Sequence, residues 1–381
     1  MKDGKKEGGN VFARMTGGIT ASYNDFMALD KKSKRVKVID FLVKYALYII
    51  IAILVIYVQY VSVNNPLMKR SFFSLKAIFD LVKRTGAAMF LALGVGGIIV
   101  LTGTDLSAGR ILGLTACISA SLLQMPFEQY KTKMYPDMAP WPILLVLLFV
   151  MLIGGLLGSF NGYCVASFKL HPFIVTLATQ LIVYGGVLWY VTWGKNGGGP
   201  IAGLTEEYKN IVKGTVNLGD VEANGAAIPY YVFYAIIAAV IMWFIWNKTT
   251  LGKNMYAVGA NPEAATVSGV SVMATTIMIF TLAGLMYGFG GFIEAARTGS
   301  NSPTTGLNME LDAIAACVIG GVSFTGGVGK ISGVITGVFL LQIIAVSLQW
   351  LDVPTSVQYL TKGLIILVAC ALDMRKYLIK K

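Results

Sequence analysis

The sequence predicts an all-α fold, a polytopic bundle of transmembrane helices. Of its 381 residues, 56% are hydrophobic and only 13% are charged, whereas an ordinary soluble domain carries about 25% charged residues. Apolar runs recur along the chain, and the run at 45–63 contains no charge. Because lipid offers the backbone no hydrogen-bonding partners, a run of about 20 apolar residues crosses a bilayer as a helix.

The apolar runs define about ten membrane segments in a transmembrane domain at 39–375. They lie at 41–62, 85–103, 107–125, 141–168, 172–193, 228–247, 272–294, 308–323, 331–350 and 357–373. Segments 107–125 and 308–323 are short and partly polar, so full spans and broken half-helices are both open for them.

Basic residues flank the first and the last segment, in a tail at 1–38 and a short end at 376–381. Lysine and arginine favour the cytosolic side, so both termini are predicted to be cytosolic, and the polar tail is predicted to be disordered. An even number of spans then places the loop at 195–227 outside and the loop at 247–271 inside.

Residues 66–84 do not fit this charge rule, because parity places a strongly basic stretch outside. Phe72, Phe79 and Val82 share one helical face, while Lys76 and Lys83 lie on the other. This pattern predicts an amphipathic helix in the membrane interface, on a side that the sequence leaves open.

Glycines recur every four residues inside the apolar segments, which places them on one stripe of a helix and allows two backbones to approach closely. These predicted packing positions are Gly154, Gly158, Gly162, Gly284, Gly288, Gly329, Gly333 and Gly337.

Few charged residues lie near membrane depth, and Asp105 in GTDLSAGR (103–110) stands between two apolar runs. Glycine, threonine and serine around it favour a break between helices, whose free backbone groups can line a polar cavity. Asp105 or Ser107 can equally serve as the cap of the next helix. Both interpretations stay open.

The sequence predicts no catalytic and no metal site. The text nearest to a phosphate loop, at 324–331, lacks the first glycine and the terminal hydroxyl residue, and neither H-E-x-x-H nor G-x-S-x-G occurs. A single histidine and four cysteines without C-x-x-C spacing do not form a metal site. The net charge of +12 lies at ends and loops, so it indicates membrane orientation and not nucleic-acid binding.

The loop at 247–271 is predicted to contain a short helix. Asn261 followed by Pro262 is a good helix start, Glu263 suits the positive end of the helix dipole, and Gly269 marks its end. A short helix of small residues can dock into a groove of another protein. An ordinary connection between two spans is the alternative.

At this loop the chain resembles the permease subunits of ABC importers, since the spacing from Glu263 to Gly269 is similar to the start of their EAA loop. The Ile-x-Leu-Pro of the long motif is not intact, because Ile279 is followed by Phe280 and Thr281. Over roughly 85–375 the chain is most similar to the monosaccharide branch, the ribose and galactose/methyl-galactoside permeases. The segments that carry this likeness are GTDLSAGR (103–110), NGYCVASFKLHPFIVTLATQLIVYG (161–185), NKTTLGKNMYAVGANPEAATVSGV (247–270) and, most similar to the galactoside type, ELDAIAACVIGGVSFTGGVG (310–329).

The resemblance implies a multi-pass protein of the cytoplasmic (inner) membrane that imports a monosaccharide such as galactose or glucose. It implies a second copy of this chain, separate ATPase subunits that hold ATP and magnesium, and an extracytoplasmic sugar-binding protein, with lipid around the bundle and no cofactor on this chain. The alternatives are a permease for ribose or nucleosides, and a stand-alone facilitator or ion-coupled carrier.

The resemblance also implies two sets of functional residues. The ATPase-coupling set is Gly252, Asn261, Pro262, Glu263, Ala264, Ala265, Ser268 and Gly269. The candidates for the translocation pathway are Asp105, Ser107, Asn161, Thr176, Gln180 and Asp312.

Overall fold

The computed structural model describes residues 49–64, 71–217 and 227–378, and helices make up nearly all of its regular structure. The predicted tail at 1–38 lies outside the described residues, as do 65–70, 218–226 and 379–381. The helices are α1 (Ile49–Asn64), α2 (Leu75–Val100), α3 (Ala108–Leu122), α4 (Ile143–Phe168), α5 (Pro172–Trp193), α6 (Glu206–Lys213), α7 (Tyr230–Lys248), α8 (Thr250–Ala260), α9 (Pro262–Val267), α10 (Val272–Thr298), α11 (Met309–Ile319), α12 (Ile331–Trp350) and α13 (Thr355–Leu378).

A helix overlaps each of the ten predicted segments, so their helical character is confirmed. Within the described part of the chain, six helices are long and apolar enough to cross a membrane: α2, α4, α5, α7, α10 and α12. The 15 residues of α3 and the 11 residues of α11 reach only about 22 and 16 Å, short of a hydrocarbon core of about 30 Å. Both have the length of half-helices.

The structure differs from the predicted helix at 66–84. Helix α2 begins at Leu75, where the Ser74 hydroxyl accepts a hydrogen bond from the backbone N–H of Ala77, and it continues to Val100 without a break at 84. Thr85 fits inside the helix because its hydroxyl donates to the Leu81 carbonyl (2.8 Å). Residues 75–84 of the basic stretch are therefore the first part of a long helix that enters the core, whereas 66–70 lie outside the described residues.

Helix α2 occupies the centre of the bundle, and its residues from Met89 to Val100 are buried. Helices α7, α10, α11 and α12 pack around it. Its glycines allow close contact with large side chains: Gly94 lies against Tyr287 of α10, and Gly96 lies near Trp246 of α7.

The glycine stripes of α4 and α10 face each other. A Cβ at Gly154 would meet the carbonyl oxygen of Gly284, and a Cβ at Gly288 would meet the carbonyl oxygen of Val150. A Cβ at Gly158 would likewise meet a backbone carbonyl of α10, that of Phe280. Further along α4, a Cβ at Gly162 would lie 2.8 Å from the Ile277 Cα of α10. The two backbones touch along this seam, which only small residues permit.

The second stripe joins α12 to α11. Gly333 lies against the carbonyl oxygen of Gly320, and Gly337 lies against that of Ala316. Gly329 precedes α12 and contacts the side chain of Val100, so it packs on α2 and not on this seam.

The predicted outer loop at 195–227 contains α6 and strand β1 (Thr215–Asn217), which pairs antiparallel with β2 (Ala227–Pro229). Tyr208 of α6 is fully buried, and its hydroxyl donates a hydrogen bond to the Phe292 carbonyl of α10. Burial raises the pKa of Tyr208 well above its ordinary value, so the hydroxyl keeps its proton. This contact fixes the loop to the end of α10.

Candidate functional site

The predicted helix start at Asn261 is confirmed. The Asn261 side-chain oxygen accepts a hydrogen bond from the backbone N–H of Ala264 (3.0 Å), and Pro262 is the first residue of α9. The backbone N–H of Asn261 also donates to the Ala257 carbonyl (3.1 Å), which ends α8. Gly269 has a φ of 81°, a left-handed conformation that glycine adopts without strain, and the chain turns there towards α10.

Helix α9 projects from the bundle and is held by one side chain. Ala265 is buried, whereas Glu263, Ala264 and Ser268 are exposed and Val267 is 90% exposed. An exposed apolar side chain on a short helix with small neighbours is suited to a groove on another protein. We call α8 and α9 together the coupling segment.

Gly252 positions the coupling segment directly after the end of α7. A Cβ at this position would meet the carbonyl oxygens of Ile245 and Trp246. The Gly252 N–H donates to the Thr249 hydroxyl (3.3 Å), which caps α8. Glycine therefore allows the sharp turn between α7 and α8.

The coupling segment is joined to the loop at 320–330 and to the end of α2. The Tyr256 hydroxyl donates to the Gly329 carbonyl (2.9 Å), and the Gly327 N–H donates to the Val100 carbonyl (2.9 Å). Gly259 lies directly against the same Val100 carbonyl. Burial raises the pKa of Tyr256, so the hydroxyl stays a donor even at the alkaline pH at which an ordinary tyrosine ionises. We call this contact region the junction.

We expect Tyr256→Phe to loosen the junction, because it deletes one partly buried hydrogen bond at a cost of about 1 kcal/mol. Amide hydrogen exchange in the loop at 320–330 should become faster, as measured by mass spectrometry. Tyr163→Phe, at an exposed position of α4, is the matched control and should leave exchange unchanged. Equal exchange in both variants would contradict the role of this bond.

A buried polar network surrounds the break between α2 and α3. Asp105 accepts hydrogen bonds from the Ser107 hydroxyl (2.6 Å) and backbone N–H (2.9 Å), and from the Tyr287 hydroxyl (3.0 Å). The Asn161 amide donates to the Ser107 hydroxyl (3.0 Å), and the Thr179 hydroxyl donates to Asn161 (2.6 Å). The network thus connects the break to α4, α5 and α10.

Thr176 of α5 binds free backbone groups of the same break between α2 and α3. Its hydroxyl donates to the Thr104 carbonyl (3.2 Å) and accepts from the Leu106 N–H (3.2 Å). Unpaired buried backbone groups are costly, so these bonds allow the chain to break its helix here. Asp105, Ser107, Asn161 and Thr176 have no solvent exposure, so in this conformation they hold helices together and do not line an open path.

Two pathway candidates lie apart from this network. Gln180 is half-buried one helical turn beyond Thr176, and no hydrogen bond joins it to the network among the described residues. Asp312 forms an ion pair with Lys362 of α13 (2.8 Å), and both side chains are partly exposed. These two residues are the pathway candidates that are not fully buried.

Sequence reasoning missed Thr179, Tyr287 and Tyr256. Thr179 lies three residues after Thr176 and so shares its helical face, a signal that was available. Tyr287 meets Asp105 across 182 positions of the chain, and Tyr256 meets Gly329 across 73. Spacing does not reveal such distant contacts.

Across residues 49–64, 71–217 and 227–378, no cluster of three or more histidine, cysteine, aspartate or glutamate side chains could hold a metal ion. The buried network, the close helix seams and the projecting α9 are features of a helical membrane protein with an exposed surface helix at a loop between two spans.

These features define a multi-pass helical membrane protein, and the family comparison places it among transporters. Residues 77–370 match the family described as branched-chain amino acid transport system / permease component, and the chain belongs to this permease family of the inner membrane.

Similar proteins narrow the comparison to sugar permeases. The galactose/methyl galactoside import permease protein MglC of Escherichia coli is 42% identical over 355 residues, which cover 93% of this chain and 99% of that protein. MglC of Haemophilus influenzae is 41% identical over 91% of this chain and 98% of its own length. The ribose import permease protein RbsC of Bacillus subtilis is 34% identical over 85% and 91%. No solved structure matches the chain.

Proposed function

We propose that this chain is the membrane-spanning permease subunit of an ABC importer that carries galactose, glucose or a methyl galactoside into the cell. The observation that carries the proposal is α9, a capped helix that projects from the bundle and exposes Glu263 and Val267. Identity of 42% to MglC along almost the whole length of both chains supports the substrate class.

This chain forms the passage, and its partners provide the energy and bind the sugar. Separate ATPase subunits hold ATP and magnesium and bind α9. An extracytoplasmic sugar-binding protein delivers the sugar, and a second copy of this chain completes the passage. The sequence contains no phosphate loop of its own, in agreement with this division of tasks.

In the proposed topology both termini are cytosolic and the chain crosses the membrane at each of the ten segments, with α3 and α11 as helices that make up only part of their crossings. The coupling segment and the loop at 320–330 then face the cytosol, while α6 faces outside. Lys248 and Lys253 near the coupling segment agree with the excess of basic residues in cytosolic loops.

We propose that the polar candidates border the passage when it opens. Gln180 and Asp312 border it most directly, since they are the candidates that are not fully buried in this conformation. Asp105, Ser107, Asn161 and Thr176 hold the break beside it. Motion of α9 reaches this region through the junction and the end of α2, because Tyr256, Gly259 and Gly327 contact Gly329 and Val100.

A permease for ribose or nucleosides is the second candidate within this class, and the relation to RbsC of Bacillus subtilis at 34% identity supports it less than the 42% identity to MglC. A stand-alone facilitator or ion-coupled carrier is the candidate from another class. Uptake into liposomes that contain this chain alone separates that candidate from an importer subunit.

We expect Glu263→Lys to weaken binding of the ATPase subunit by about tenfold or more, because it reverses a charge at the exposed start of α9. Binding is measured between the purified ATPase and the detergent-solubilised variant. The variant must first show the same thermal unfolding midpoint as the unchanged chain. Glu207→Lys, an exposed reversal on α6, is the matched control and should leave binding unchanged. Unchanged ATPase binding by Glu263→Lys would refute α9 as the docking helix.

A further inference from the structure

An open apolar groove of about 400 Å³ runs between α2, α7 and α12. Gly86 and Val232 meet at its floor, since a Cβ at Gly86 would lie 3.2 Å from the Val232 Cα. Trp243, Ile335 and Phe339 line its sides. All three helices are candidate membrane spans, so the groove faces hydrocarbon and not water.

The groove has the length of one leaflet. Val232 and Trp243 mark its two ends on α7, and they lie about 16 Å apart along the helix. This distance is half of a hydrocarbon core of about 30 Å. The hydroxyl of Thr85, one of its few polar groups, is already bonded to the Leu81 carbonyl. The groove therefore suits an acyl chain and offers little to a polar ligand.

One end of the groove carries two unpaired cations. The Lys248 ammonium lies 5.8 Å from the centre of the Trp243 ring, and Lys330 directly precedes the lining residue Ile331. Neither lysine forms an ion pair with another described residue, and both are exposed. At the opposite end Lys83 is paired with Asp80 (3.5 Å). Arg84 directly precedes the lining residue Thr85 at that same end and is exposed. Among the described residues that adjoin the groove, the end near Trp243 thus carries two cations without an ion pair and the opposite end carries one.

We propose that this groove binds one anionic phospholipid, with an acyl chain between α2, α7 and α12 and its phosphate between Lys248 and Lys330. Basic sites at the cytosolic ends of membrane helices recognise anionic headgroups. The cytosolic leaflet is the one that the proposed topology assigns to Lys248, and this assignment rests on the proposed function. Lipid binding itself does not depend on it.

A second copy of this chain fits the groove less well. Membrane dimers are mostly symmetric, and such an interface brings the same patch of both subunits together. With the two-fold axis along the membrane normal, Lys248 and Lys330 of both copies would lie at the same end of the interface, and like charges gathered there oppose association. An anionic headgroup neutralises the same two lysines.

The test uses the full chain, purified in neutral detergent and freed of lipid, and native mass spectrometry to count bound lipid. Phosphatidylglycerol and phosphatidylcholine with identical acyl chains are the two probes. We expect one phosphatidylglycerol to stay bound where phosphatidylcholine does not. Lys248→Gln and Lys330→Gln should each lower the affinity about fivefold. Lys195→Gln and Lys213→Gln, exposed positions in the outer loop, are the matched controls and should have no effect.

A second pair of variants tests the acyl-chain part of the site. Ile335→Trp fills the groove and should abolish the bound lipid, whereas Ile237→Trp, at an exposed position of α7 outside the groove lining, should retain it. Equal binding of both lipids, or binding that neither the glutamine variants nor Ile335→Trp reduces, would overturn the proposal. A lipid-free dimer that Ile335→Trp separates would also overturn it, since a second copy would then cover the groove. Because no ATPase or sugar is present, this result is independent of the transport proposal.

Discussion

Gly284→Ala is expected to destabilise the protein by about 1–3 kcal/mol, the usual cost of overpacking a tight contact. The new Cβ would lie on the carbonyl oxygen of Gly154, and a Cβ at Gly154 would lie equally close to Gly284. Backbone atoms cannot move aside as a flexible side chain can. The seam between α4 and α10 must therefore open, and the midpoint of thermal unfolding in detergent should fall.

Gly186→Ala is the matched control, since it also adds one methyl group inside a membrane helix. No heavy atom lies within 4 Å of the Cβ position at Gly186. Alanine is favoured over glycine in a helix by about 1 kcal/mol, so this variant should be neutral or slightly stabilised. Equal unfolding midpoints for the two variants would show that the seam between α4 and α10 is not closely packed.

Asp105→Ala is expected to have the second large effect, a loss of about 3 kcal/mol. It removes the acceptor of three buried hydrogen bonds, two from Ser107 and one from Tyr287. Each buried donor left without a partner costs about 1–3 kcal/mol. The break between α2 and α3 should then loosen, which the unfolding midpoint and hydrogen exchange at 101–110 both measure.

Two milder variants place this loss on a scale. Tyr287→Phe deletes one of the three bonds and should cost about 1–2 kcal/mol. Asp105→Asn keeps the shape and one acceptor oxygen, and the Tyr287 hydroxyl can accept a bond from the new amide, so its cost should lie below that of alanine. If alanine and asparagine were equally stable, the hydrogen bonds of Asp105 would not hold this break.

The helices and their caps were predictable because they depend on neighbours in sequence. The apolar runs predicted helices at all ten segments, and Asn261 with Pro262 predicted the start of α9. The boundary at 84 was wrong because charge alone does not end a helix. Neither Arg84 nor Thr85 is a helix-breaking residue, and the apolar pattern continues to Val100.

The partners of these elements were not predictable from spacing. The glycine stripes showed that backbones approach, but not that α4 meets α10 and α11 meets α12. Those pairings depend on contacts between residues as distant as Gly154 and Gly284. The pathway candidates were likewise predicted from their polar residue types, which do not show where they lie. The structure divides them into a buried group around Asp105 and the partly exposed Gln180 and Asp312.

Transport by the reconstituted complex tests the central claim most directly. Liposomes would contain this chain and its ATPase, with the sugar-binding protein outside and radiolabelled galactose as the probe. We predict uptake only when both partners and ATP are present, and its loss with Glu263→Lys. Galactose uptake by this chain alone, without ATP, would contradict the account.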